Sequence, residues 1–115
     1  MSVTVTPEQI PAIVAEAKEA AFSAADRFFN EQLGGQDRYA CGFAWVDIYN
    51  VKSNSKIGKA LINAGMRKSY TRTIQMWNPS KFGCQNVDTL EAGAVAAAAV
   101  FKKYGFTAYA GSRLD

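Results

Sequence analysis

The sequence predicts one small α/β (or α+β) domain, residues 1–115, with elements in the order α-β-α-β-α-β. The expected architecture is a three-stranded, mostly parallel or mixed sheet covered by three helices. Three observations lead there. A chain of 115 residues lies near the modal domain size and can bury a core without staples. Three stretches repeat apolar residues at helical spacing and carry helix start and stop residues. The stretches between them are rich in aromatic and β-branched residues.

Residues 1–5 are β-prone but short, and read as a flexible tail or a short edge strand. Thr6-Pro7-Glu8-Gln9 then starts a helix, with Thr6 as N-cap, Pro7 at the first helical position and Gln9 completing a capping box. Pro11 falls in the first turn, so the regular helix begins after it. Ile10, Val14, Ala17, Ala21, Ala25 and Phe28 form its apolar stripe, widened by Phe22 and Phe29. Glu16, Glu19, Asp26 and Glu31 take the opposite face, and Gly34-Gly35 ends the helix.

Residues 42–51 alternate Phe43, Trp45, Asp47, Tyr49 and Val51 with Ala44, Val46, Ile48 and Asn50. Both sets are largely apolar, the signature of a central strand covered on both faces. Ser53-Asn54-Ser55 offers N-caps for a short helix ending near Ala64, with Gly65 just beyond it. Residues 69–77 read as a second strand stopped by Asn78-Pro79, and residues 80–86 as a polar loop. Asp88 with Glu91 caps a third helix, whose stripe is Leu90, Ala94, Ala97, Phe101 and Tyr104. Its alanines permit close approach to the sheet or to a second copy, so a homodimer fits as well as a monomer. Gly105 and Phe106 suit its end, residues 106–111 form the last strand, and residues 112–115 a tail. The helical crossover of this last β-α-β unit implies parallel strands.

Charge is distributed unevenly. Residues 1–47 carry seven acids against three bases, and residues 88–115 three of each. Residues 48–87 contain no acid at all, yet hold Lys52, Lys56, Lys59, Arg67, Lys68, Arg72 and Lys81, interleaved with Tyr49, Tyr70, Trp77 and Phe82. Such a block suits an anionic partner. Apolar runs fall well short of the ~20 residues that span a bilayer, and no leader pattern opens the chain, so the expected setting is cytosolic and no membrane partner is expected. Cys41 and Cys84 make no disulfide framework or metal site and are expected as small buried hydrophobes. With no histidine, zinc and Ser- or Cys-based catalysis lack their usual partners. No phosphate-binding Gly-rich loop or dinucleotide fingerprint is present, and no cofactor is expected.

The candidate anion or nucleic-acid site is Ser53, Ser55, Lys56, Lys59, Arg67, Lys68, Tyr70, Arg72, Trp77 and Lys81. Lys56 and Lys59 sit in the first turn of the second helix, where the helix dipole disfavours cations and free N–H groups favour phosphate. Arg67 and Lys68 follow the same helix at its C-terminus, where cations are favoured structurally. Tyr70, Arg72 and Trp77 add aromatics and charge of the kind that stacks bases and neutralises phosphates, although both aromatics also read as half-buried sheet residues. Asp47 is expected to pair with Arg72 or Arg113 rather than act as a general base. Ser112 and Arg113 end the last strand, where parallel sheets bind ligands.

Several phrases occur together: Ala40-Cys41-Gly42-Phe43-Ala44-Trp45-Val46, Gly65-Met66-Arg67-Lys68-Ser69-Tyr70, Trp77-Asn78-Pro79-Ser80, Glu91-Ala92-Gly93-Ala94, and the closing run from Gly105 to Asp115. On these the chain resembles a group of small uncharacterised proteins of tailed bacteriophages, over residues 40–115. The resemblance implies a phage-encoded protein acting in the host cytoplasm, and it carries over no catalytic residues. The resulting expectation is a non-enzymatic protein that binds nucleic acid or a phosphorylated ligand through residues 48–87. The alternatives are a host-takeover or anti-defence protein that binds a host protein or sequesters a nucleotide signal, and an enzyme using Asp47 with Arg72 or Arg113.

Overall fold

Thr6 opens the chain's first helical turn with its N–H donating to the Gln9 side chain at 2.8 Å. Pro7–Gln9 forms a single 3-10 turn, and α1 follows over Ile10–Gln32. Pro11 is accommodated because first-turn N–H groups have no helical acceptor. This computed structural model describes residues 5–32, 34, 41–81 and 86–114. The expectations for residues 1–4, Gly35, Phe82, Cys84 and Asp115 lie outside the described residues.

Beyond α1 come β1 (Gly42–Tyr49), α2 (Lys56–Asn63), β2 (Arg67–Lys68), β3 (Ile74–Trp77), α3 (Val87–Lys103) and β4 (Thr107–Leu114). The helices end as their sequences dictate. In α2 the N–H groups of Gly65 and Met66 return to the carbonyls of Ile62 and Leu61, and in α3 those of Gly105 and Phe106 return to Lys102 and Phe101. Both are Schellman stops, made with Gly65 at φ +107° and Gly105 at φ +93°. The start of α3 differs from expectation. Asn86, fully buried, caps it by accepting from the Thr89 N–H at 2.9 Å, which places Asp88 inside the first turn.

The sheet corrects the sequence reading most. It has four strands in the order β2-β3-β1-β4, and every neighbouring pair is antiparallel. Of the expected strand over residues 69–77 only Ile74–Trp77 is strand; residues 69–73 are a turn that joins it to β2, which precedes the expected range, and the expected C-terminal tail continues β4 to Leu114. Both helical crossovers join strands of the same direction, but β3 lies between β1 and β2, and β1 lies between β3 and β4. Two β-α-β units are therefore interleaved, which is the split arrangement of ferredoxin-like connectivity, here preceded by α1. Sequence shows where a crossover helix lies, but not whether another strand slips between its ends.

Ala44, Val46, Ile48, Ile74, Met76 and Ala108 are buried on one sheet face, in one core with Ile10, Val14 and Ala17 of α1, Leu61 of α2 and Leu90, Ala97 and Phe101 of α3. The alanine-rich α3 is occupied on both sides, by the sheet and by α1. A Cβ on Gly93 would come 3.0 Å from the Ala21 carbonyl oxygen, so the small residue sets that helix approach. Phe22, expected to widen the α1 stripe, is half exposed. No helix among the described residues is long and apolar enough to cross a membrane.

Candidate nucleic-acid interface

Strand alternation sends the odd-numbered residues of β1 to the sheet face opposite the core. The expectation of helices on both faces fails here: the helices contribute to the core on the even-numbered side, and no described helix packs over Phe43, Trp45, Asp47 and Tyr49. Register adds Gln75 and Trp77 from β3, Tyr109, Gly111 and Arg113 from β4, and Arg67 from β2.

Trp45 and Trp77 are opposite each other in register, and their rings stack with centroids 5.4 Å apart and planes 6° from parallel. The Arg67 guanidinium lies 5.0 Å from the Trp77 ring centre, and Arg113 lies 5.5 Å from that of Phe43. Phe43 and Trp77 approach to 5.8 Å. On the other flank Tyr49 and Tyr109 meet edge to face at 5.8 Å, and Lys102 from the end of α3 lies 5.0 Å over Tyr109. Three cations therefore border aromatic rings drawn from both central strands and one edge strand. Trp77, Tyr49 and Tyr109 keep 38%, 40% and 56% of their surface exposed, which leaves ring area for a ligand.

Asp47 is the carboxylate of this face. It accepts from Trp45 Nε1 at 3.0 Å and from Thr73 Oγ1 at 2.8 Å. The expected arginine partner is replaced by these neutral donors: Arg113 is engaged with Phe43, and Arg72 lies in the turn that follows β2. Thr73 in turn meets Ser69 Oγ at 2.6 Å, so a polar chain runs from Trp45 to the β2–β3 turn.

That turn and the loop after β1 enclose an open cleft of about 950 Å³, lined by residues 50–54, 68–70, 72 and 73. Lys52, Lys68 and Arg72 supply three cations, Ser53, Ser69, Tyr70 and Thr73 supply hydroxyls, and no carboxylate lines it. Two of its residues, Asn50 and Arg72, have left-handed backbones at φ +63° and +65°. A second cleft, of about 590 Å³, lies against Arg67, Lys68, Tyr70 and Gln75. Tyr70 belongs to both clefts and is fully exposed, not a half-buried sheet residue.

The expected site residues thus separate. Ser53, Lys68, Tyr70 and Arg72 meet in the cleft, while Arg67 and Trp77 meet on the sheet face. Ser55 caps α2, its hydroxyl accepting from the Gly58 N–H at 3.0 Å and donating to the Lys52 carbonyl at 2.6 Å. Lys56 and Lys59 are exposed on α2 outside the cleft lining, and Lys81 is exposed in a turn beyond β3. Cys41 is exposed, contrary to expectation. With the sheet antiparallel, the ligand-site argument for Ser112 lapses; its hydroxyl donates to Glu91. Tyr49 reads within the basic block and Arg113 at the end of the last strand, neither as part of this face; the residues missed were Phe43, Trp45, Tyr109 and Lys102. Their signal was the aromatic run at alternate positions of β1, legible once one face of that strand is uncovered.

Comparison with protein-family models, with curated proteins and with solved structures finds no match, so the site rests on its own chemistry.

Proposed function

We propose that this chain is a non-enzymatic, phage-encoded protein of the host cytoplasm that binds single-stranded nucleic acid across the uncovered sheet face. Bases stack against the exposed parts of Trp77, Phe43, Tyr49 and Tyr109, while Arg67, Arg113 and Lys102 meet backbone phosphates. The cleft cations Lys52, Lys68 and Arg72 extend that phosphate track past the β2–β3 turn. The observation that carries the reading is the stacked Trp45–Trp77 pair flanked by Arg67 on a sheet face with no described helix over it. Stacking platforms bordered by cations accept any base, because every base presents a π face and every nucleotide a phosphate. A topological analogy points the same way: four-stranded RNA-recognition sheets carry their stacking aromatics on the two central strands, the position of Phe43, Trp45 and Trp77 here.

The chain's two tryptophans both lie in this stack, so its intrinsic tryptophan emission reports on this face. Titrating a single-stranded oligonucleotide should quench that emission and raise the anisotropy of a labelled strand. Trp77→Ala should weaken binding by about 1–3 kcal/mol, the range for loss of one stacked base. Retention of full affinity by a folded Trp77→Ala variant, or no binding at low salt, would remove the proposal. A second reading, capture of a free nucleotide signal, is favoured by the acid-free cationic cleft. It predicts that a mononucleotide binds tightly while an oligonucleotide does not compete, and that Trp77→Ala leaves this binding intact.

A further inference from the structure

The two edges of the sheet are built differently. β2 is two residues long and consists of Arg67 and Lys68, the short, charged edge that discourages pairing with another strand. β4 is eight residues long, contains no proline, and keeps unbroken register with β1 from Thr107↔Tyr49 to Leu114↔Gly42. Its one charge is Arg113, and no described strand pairs with its outer side.

The direction of its free groups follows from one hydrogen bond. The Asn78 N–H donates to the Ala44 carbonyl at 2.9 Å, so the even-numbered residues of β1 turn their backbone groups to the β3 side. The odd-numbered ones then bond β4, through Thr107, Tyr109, Gly111 and Arg113. Ala110, Ser112 and Leu114 are left with N–H and C=O groups pointing out of the sheet at an accessible edge, while Ala108, which points the same way, is fully buried.

We propose that this edge pairs antiparallel with β4 of a second copy, about a two-fold axis at Gly111. That register sets Ala110 against Ser112 as a hydrogen-bonded pair, twice, with the buried Ala108 outside the paired stretch. On the uncovered face it sets Tyr109 directly opposite Arg113 of the second copy, twice, in the closely spaced non-hydrogen-bonded positions where cross-strand side chains meet. Each arginine then faces a ring instead of its own symmetry mate. This self-complementarity singles out a second copy as the occupant. The proposal does not depend on nucleic-acid binding, although the pairing joins two aromatic faces into one sheet.

Sedimentation equilibrium over a concentration series tests it. The wild-type chain should form dimers. Ala110→Pro removes an outward N–H without touching the β1 ladder and should give a folded monomer, with folding checked by circular dichroism. Tyr109→Arg sets two like-charge pairs across the axis and should weaken the dimer by about tenfold. Adding Arg113→Glu to it should restore the dimer. A wild-type monomer at every soluble concentration overturns the proposal, as does a folded Ala110→Pro variant that dimerises normally. Should Ala110→Pro fail to fold, the charge variants decide: loss and rescue support this register, and no change in either overturns it.

Discussion

Trp45 is held by three different contacts: Trp77 stacks on it, Asp47 accepts its N–H, and Gly111 of β4 lies against its indole. A Cβ on Gly111 would come 2.6 Å from the indole nitrogen, too close for any side chain. Gly111→Ala should therefore displace Trp45 and cost about 1–3 kcal/mol, the usual range for overpacking, read by denaturant unfolding together with a shift in tryptophan emission. Arg72 poses the reverse case, because its left-handed backbone is unfavourable for a side-chain-bearing residue by about 1–2 kcal/mol and free of that penalty for glycine. Arg72→Gly should leave thermal stability within about 1 kcal/mol of wild type, since relieved strain offsets added chain entropy, yet weaken oligonucleotide binding. Equal affinity in that variant would separate the cleft from the binding track. Of these pairings only that of Trp45 with Asp47 was legible in the chain alone. Asp47 and Trp45 are two residues apart and read as neighbours on one strand face, but Gly111 and Thr73 reach them only through sheet register.

Helices carry most of their information locally, and this is why their existence and the glycine stops of α2 and α3 were legible, although α1 starts before Pro11, and α3 is capped by Asn86, not Asp88. Strand pairing is non-local, and the turn at 69–73, rich in threonine, reads as strand until its hydroxyls are seen bonding one another and Asp47. Between helices, α1 and α3 are tied by Glu16, which receives hydrogen bonds from Lys103 and from Tyr104. The Lys103 bond, then the Tyr104 bond, hold the Glu16 carboxyl below the usual carboxylate range, and the same Glu16 bond raises Lys103. A lowered carboxylate stabilises the fold above its unfolded pKa and loses that contribution as pH falls through the folded value; a raised lysine loses its share as pH rises through its own. The tie is therefore complete around neutral pH and weakens at both extremes. Glu16→Gln should lower the melting temperature slightly at neutral pH and flatten the acid side of a stability-against-pH curve, measured by thermal unfolding at a series of pH values. Both groups are open to solvent, so the change should be small.

At the level of the molecule, the acid-free block of residues 48–87 does not form one patch. Lys52, Lys68 and Arg72 gather at the cleft and Arg67 on the sheet face, while Lys56, Lys59 and Lys81 lie elsewhere on the surface. Charge distribution along a sequence is one-dimensional, and the fold decides which cations share a surface. Binding of a single strand should accordingly fall with salt less steeply than seven contacts imply. Each phosphate neutralised contributes a slope of about −0.7 in a plot of log affinity against log salt. Lys68→Ala and Arg72→Ala should each make the measured slope shallower, and Lys56→Ala should leave it unchanged.

The interleaved crossovers also order events in time. β1 is one of the two central strands, yet both of its hydrogen-bonding partners are made after it, and the longer of them is the last described element: Gly42 waits for Leu114. As the polypeptide emerges from the ribosome, the most apolar strand is synthesised well before anything can pair with it. Pairing over such separations is slow, and loop closure must precede it. β1 thus stays incompletely paired in a nascent chain until β3 and then β4 follow, and β4 is the strand that completes its ladder.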